Sequence, residues 1–82
     1  MIYFENLNMI SKYGNEVILR HCEALNDGYY RIDSKEKYYE DYHGNPFDII
    51  DSTICSVDTL EEAKIYCDLH GLKVIKTIEE CE

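Results

Sequence analysis

The stretch Asp58-Thr59-Leu60-Glu61-Glu62-Ala63-Lys64 constrains the fold of this chain more than any other. It holds two overlapping capping boxes, Asp58 with Glu61 and Thr59 with Glu62. In each, a cap oxygen accepts an orphaned backbone N–H while the acid three residues on reaches back. Glu61 and Glu62 also put negative charge in the first turn, where the helix dipole favours it. Gly71 follows His70 as a left-handed stop, so the spacing predicts one helix between Asp58 and Gly71. Strand patterns flank it. Ile49 to Val57 offers Ile50, Ile54 and Cys55 for burial, and Leu72 to Ile78 alternates with Leu72, Val74 and Ile78 on one side and Ile75 on the other.

Upstream, Tyr13-Gly14-Asn15 and Asn26-Asp27-Gly28 are turn signals, because Asn, Asp and Gly tolerate positive φ. Between them Glu16 to Leu25 reads as a strand with two apolar faces, Val17, Leu19 and His21 on one and Ile18, Cys22 and Ala24 on the other. Two apolar faces imply a central position. Tyr29 to Asp33 is its hairpin partner. Residues 34–48 leave two readings open. Lys37 to Tyr42 returns as an edge strand, or Asp33 or Ser34 caps a short helix that stops at Gly44. The tyrosine-rich composition favours the strand. For residues 1–12, Ile2 and Phe4 alternate like a strand while Leu7 and Ile10 fit the start of a helix, and the strand is preferred. The sum is a single α+β domain over residues 1–82: an antiparallel meander with one helix packed on a face, then a final strand.

Charge narrows the function classes. The net charge is −9, and residues 40–82 hold eleven acids against Lys64, Lys73 and Lys76. Such a surface repels phosphate, which argues against direct nucleic-acid or anionic-membrane binding and in favour of a basic partner. No apolar run has the length of a membrane span. Cys22, Cys55, Cys67 and Cys81 lack paired spacing, and Met1-Ile2-Tyr3-Phe4-Glu5 has no signal-peptide pattern, so a reduced, cytoplasmic chain is expected. Cys67 and His70 share a helical face above a strand carrying His21 and Cys22, yet no Cys-x-x-Cys pair supports a metal site. No Gly-rich phosphate loop or activated nucleophile turn is visible. The expectation is a non-enzyme without cofactor or metal.

Two surfaces remain as candidates. The first combines aromatic anchors with carboxylates: Tyr38, Tyr39, Glu40, Asp41 and Tyr42, joined by Asp48, Asp51, Asp58, Glu61 and Glu62. Tyrosine brings large contact area at low rotamer cost, and flanking acids meet Arg or Lys on a partner. The second lies on the helix. Leu60, Ala63, Cys67 and His70, bordered by Tyr66, form the stripe expected on the sheet, which leaves Ile65 and Leu69 outward as a candidate homodimer contact.

The small acidic sheet, with its Asp-Thr-Leu-Glu-Glu-Ala-Lys helix and closing strand over Ser56 to Ile75, resembles short proteins of phages and mobile elements, including anti-CRISPR proteins. The resemblance implies a non-enzymatic inhibitor or adaptor that presents carboxylates, as a DNA mimic, to a basic, nucleic-acid-binding effector. The alternative, from the apolar helix face, is a homo-oligomeric structural or regulatory module of antitoxin type.

Overall fold

The computed structural model of the protein describes residues 1–21, 29–41 and 52–79. In chain order the elements are β1 (Ile2–Glu5), α1 (Asn8–Tyr13), β2 (Glu16–His21), β3 (Tyr30–Ser34), α2 (Lys35–Asp41), β4 (Thr53–Val57), α3 (Leu60–Leu69) and β5 (Lys73–Glu79). The five strands form one sheet in the order β1-β4-β3-β2-β5. β1, β4, β3 and β2 pair antiparallel in turn, whereas β5 joins β2 in parallel. The sheet is therefore mixed rather than an antiparallel meander. A ten-residue helix leads from β4 to β5 and carries the chain back along the sheet, so β5 enters in the direction of β4 and of β2.

Register fixes the two faces. Ile18 opposes Asp33 and Arg20 opposes Arg31, while Leu19 opposes Ile32 and His21 opposes Tyr30. Opposed residues share a face. On the Leu19 face, Val17, Ile32, Cys55 and Val57 form one buried cluster with Ala63, Tyr66 and Cys67 of α3 and with Leu72. β2 is buried on both faces at Val17, Ile18 and Leu19, as its sequence requires, and all five residues of β4 are buried.

The Ile18 face is polar at its centre. Asp33 is fully buried. It accepts hydrogen bonds from Arg20 Nη1 (2.8 Å), Ser52 Oγ (3.1 Å) and Thr53 Oγ1 (3.1 Å). Thr53 Oγ1 in turn accepts from Arg31 Nε at 3.1 Å and Nη2 at 2.7 Å. The Tyr38 ring of α2 lies 5.5 Å from the Arg20 guanidinium. One carboxylate thus ties β3 to its neighbours on both sides.

Three helices stand among the described residues where one was expected. Residues 35–41 are α2, not an edge strand. Ser34 Oγ accepts from Lys37 N at 3.3 Å as a cap, and Lys37 Nζ reaches Glu40 at 3.5 Å and Asp41 at 3.0 Å. These are the i,i+3 and i,i+4 pairs that only a helix makes, and burying Tyr38 adds to them. The N-terminal stretch divides into strand β1 and helix α1, because Met9 and Ile10 pack on the buried cluster. Gly14 ends α1 at φ 97°, a left-handed conformation that suits glycine. The stripe of α3 is rolled by about one position: Ala63, Tyr66 and Cys67 are buried, while Leu60 and His70 are exposed. The Tyr66 hydroxyl donates to Glu5 Oε2 at 2.8 Å and turns that flank toward β1. A bulge sets Val17 opposite Val74 but Ile18 opposite Lys76. It places Val74 and Ile78 on different faces rather than together. Cys22, the Asn26-Asp27-Gly28 turn and Ile49-Ile50 lie outside the described residues.

Replacing Asp33 by Ala removes the buried acceptor shared by Arg20, Ser52 and Thr53 and is expected to lower unfolding free energy by about 3–5 kcal/mol, read as a fall in urea midpoint at unchanged m. The double replacement Asp33→Leu with Arg20→Met loses less. An Asp33→Ala midpoint equal to wild type means the network carries no stability.

Candidate protein-interaction surface

The structure sorts the nominated residues by what already holds them. On α2, Glu40 and Asp41 both face Lys37. Both carboxylates favour the charged lysine and raise its pKa, the hydrogen bond to Asp41 most. Tyr38 is buried against Arg20 and meets the Tyr39 ring edge-on at 5.4 Å, so it is an internal residue rather than an interface anchor. Tyr39 is exposed. Tyr42, Asp48 and Asp51 lie outside the described residues.

At the start of α3, the second of the two capping boxes is the one used. Thr59 Oγ1 accepts from Glu62 N at 3.1 Å, with Glu62 Oε1 3.4 Å from the same hydroxyl. Asp58 faces elsewhere. Its carboxylate beside Tyr3 pushes that phenol up to about 12, and Tyr3 stacks on Tyr29 with ring centroids 4.4 Å apart. The terminal ammonium of Met1 lies between Glu62 and Asp58. Four nominated carboxylates, Glu40, Asp41, Asp58 and Glu62, therefore have partners within the chain, and an internally paired acid offers a foreign cation little.

What remains unengaged shares one side of α3. At roughly 100° per residue, Lys64, Asp68, Glu61, Ile65 and Leu69 follow one another around the side away from the sheet. Ile65 is 52% and Leu69 76% exposed, as their spacing requires. Glu61 and Asp68 form no ion pair among the described residues. α3 thus presents two apolar side chains bordered by two carboxylates that form no ion pair among the described residues, with Lys64 beside them. Asp68 was not nominated from the sequence, although its place three residues beyond Ile65 is readable as the same face.

Apolar side chains are also exposed at both edges of the sheet. Ile2, Tyr3 and Phe4 line β1, and Val74 and Ile75 lie on β5. Lys73 and Lys76 flank the β5 pair, and lysine on an edge blocks pairing with further strands. On β1, Glu5 is the one charged side chain, and it is held by Tyr66.

Among the described residues, no group of three or more His, Cys, Asp and Glu side chains converges to hold a metal ion, and no helix is long and apolar enough to cross a membrane. Cys55 and Cys67 are both free and buried. Comparison with protein families, curated proteins and solved structures finds no match to this chain.

Proposed function

We propose that this protein acts by binding another protein, without catalysis, through the outward side of α3, and that the partner offers an apolar groove with a basic rim. The observation that carries the reading is the juxtaposition on α3 of exposed Ile65 and Leu69 with the carboxylates Glu61 and Asp68, which form no ion pair among the described residues. An amphipathic helix laid in a groove gains affinity from its apolar residues, and charged borders fix its orientation and speed its approach. A basic groove that otherwise receives the phosphates of a nucleic acid fits this acidic chain, as an inhibitor or adaptor would require. The carboxylates that carry the contact are then those of α3 rather than the paired acids of α2.

The thiol chemistry favours the non-catalytic side of this reading. Burial pushes the Cys55 thiol up to about 11 and raises that of Cys67. A thiol held protonated near neutral pH is a poor nucleophile. Native protein is therefore expected to react with iodoacetamide at Cys55 and Cys67 far more slowly than urea-unfolded protein, by mass spectrometry of labelled peptides. Because the folded state holds the Cys55 proton to higher pH, the stability it contributes is complete below the ordinary thiol value of 9.0 and declines as the pH rises toward about 11. Labelling equally fast in the native state reverses the assignment.

The binding reading is tested by affinity capture from lysate at low and moderate salt, comparing wild type with Glu61→Lys/Asp68→Lys and with Ile65→Asp. Basic proteins are expected on wild type, lost steeply as salt rises and lost with either variant. A captured set that all three proteins share, or that is indifferent to salt, removes the proposal.

A further inference from the structure

The β1 edge and the flank of α3 above it form one apolar surface, of which the binding reading uses only Ile65 and Leu69. Two contacts place that flank over β1: the Tyr66 hydroxyl on Glu5, and Glu62 beside the Met1 ammonium. Leu69 follows Tyr66 and Glu62 on the same side of the helix at roughly 100° per residue, with Ile65 next to it. Ile2 opposes Val57, a member of the cluster under α3, so it sits on the helix side of the sheet.

We propose that this surface is the contact of a two-fold homodimer, in which β1 pairs antiparallel with β1 of a second copy and the Leu69 flanks of the two α3 helices meet across the axis. Three observations favour a second copy as the occupant. The edges differ: β5 carries Lys73, Lys76 and a bulge, devices that block strand pairing, whereas β1 has a bulge but no lysine. Glu5 is already held within its own chain, so two β1 strands meet without opposing free charges. The extent also fits. Ile2, Tyr3, Phe4, Leu7, Ile65 and Leu69 leave on the order of 700 Å² in solvent, close to the ~800 Å² one partner gives to a standard interface. A lone foreign strand would cover β1 and leave Leu69 in water. The symmetric contact covers both, because each copy supplies the same strand and the same helix flank.

The dimer leaves Glu61 and Asp68 outward, one pair on each helix, and so presents the acidic sides of α3 in duplicate. Its salt response is opposite to that of a contact with a basic partner. Two chains of net charge −9 repel, so screening strengthens self-association.

Sedimentation velocity of the full chain up to about 100 μM tests the proposal. Wild type is expected at twice the 9.7 kDa chain mass, more so at higher salt. Ile2→Lys and Leu69→Asp are each expected to weaken the dimer at least about tenfold with far-UV circular dichroism unchanged. Val74→Lys on the opposite edge and Glu61→Lys/Asp68→Lys leave it intact. Should a variant fail to fold, hydrogen exchange of wild type decides: the Tyr3 and Phe4 amides gain protection as concentration rises. A wild type that stays monomeric, a dimer indifferent to both Ile2→Lys and Leu69→Asp, or β1 exchange independent of concentration overturns the proposal. Because the dimer covers Ile65 and Leu69, a wild type that dimerises leaves Glu61 and Asp68 as the part of the α3 surface open to a partner, and capture with Glu61→Lys/Asp68→Lys tests that part separately.

Discussion

The Asp33 carboxylate holds the centre of the sheet. It is shut away from water on β3 and satisfied from both sides, by Arg20 of β2 and by Ser52 and Thr53 at the start of β4. A buried charge is tolerable only when paired and hydrogen-bonded, so the register of β2 and β4 against β3 is fixed by chemistry as well as by apolar fit. Shifting either strand by one residue turns its donors to the other face. α2 follows from the same group, since its Tyr38 covers Arg20. The opposite face, with Val17, Leu19, Ile32 and Cys55 under α3, is an ordinary hydrophobic core. The molecule thus has one dry face that supplies burial energy and one polar face that supplies specificity.

Acidity has a different meaning once the contacts are known. In the sequence the acids of the second half look like a single negative field. In the fold, Lys37 engages two of them, the cap of α3 and the terminal ammonium engage Glu62, and the same ammonium reaches Asp58. Glu61 and Asp68, which form no ion pair among the described residues, lie beside Ile65 and Leu69 on one side of one helix. A charge becomes available to a partner when no neighbour has claimed it, and that is a property of packing rather than of composition.

The parts of the fold legible in the sequence are those whose signals are local. Thr59 with Glu62 and the Gly71 stop define α3, and the run Val17-Ile18-Leu19 marks a strand covered on both sides. The exposure of Ile65 and Leu69 also follows from spacing, because helical periodicity alone sets which residues oppose a buried Ala63 and Cys67. Residues 35–41 misled for a physical reason. The tyrosines carry strand propensity, while the Ser34 cap and the reach of Lys37 to Asp41 are equally local but decisive only when Tyr38 has a surface to cover. The roll of α3 toward Tyr66 had no signal in the sequence, since its cause, Glu5, lies sixty-one residues away.

Local signals suffice for an acidic α+β chain with one strong helix in its second half, a doubly buried strand and an apolar pair on the helix's outer side. Capping, periodicity and turn chemistry act over a few residues, and they are readable there. Long-range packing sets the parallel entry of β5 beside β2, the isolation of Asp33 in the sheet, the internal pairing of Glu40, Asp41, Asp58 and Glu62, and the contact of β1 with the flank of α3. Each of these depends on which distant segments become neighbours, and that choice is made by the burial of the whole chain rather than by any stretch of it.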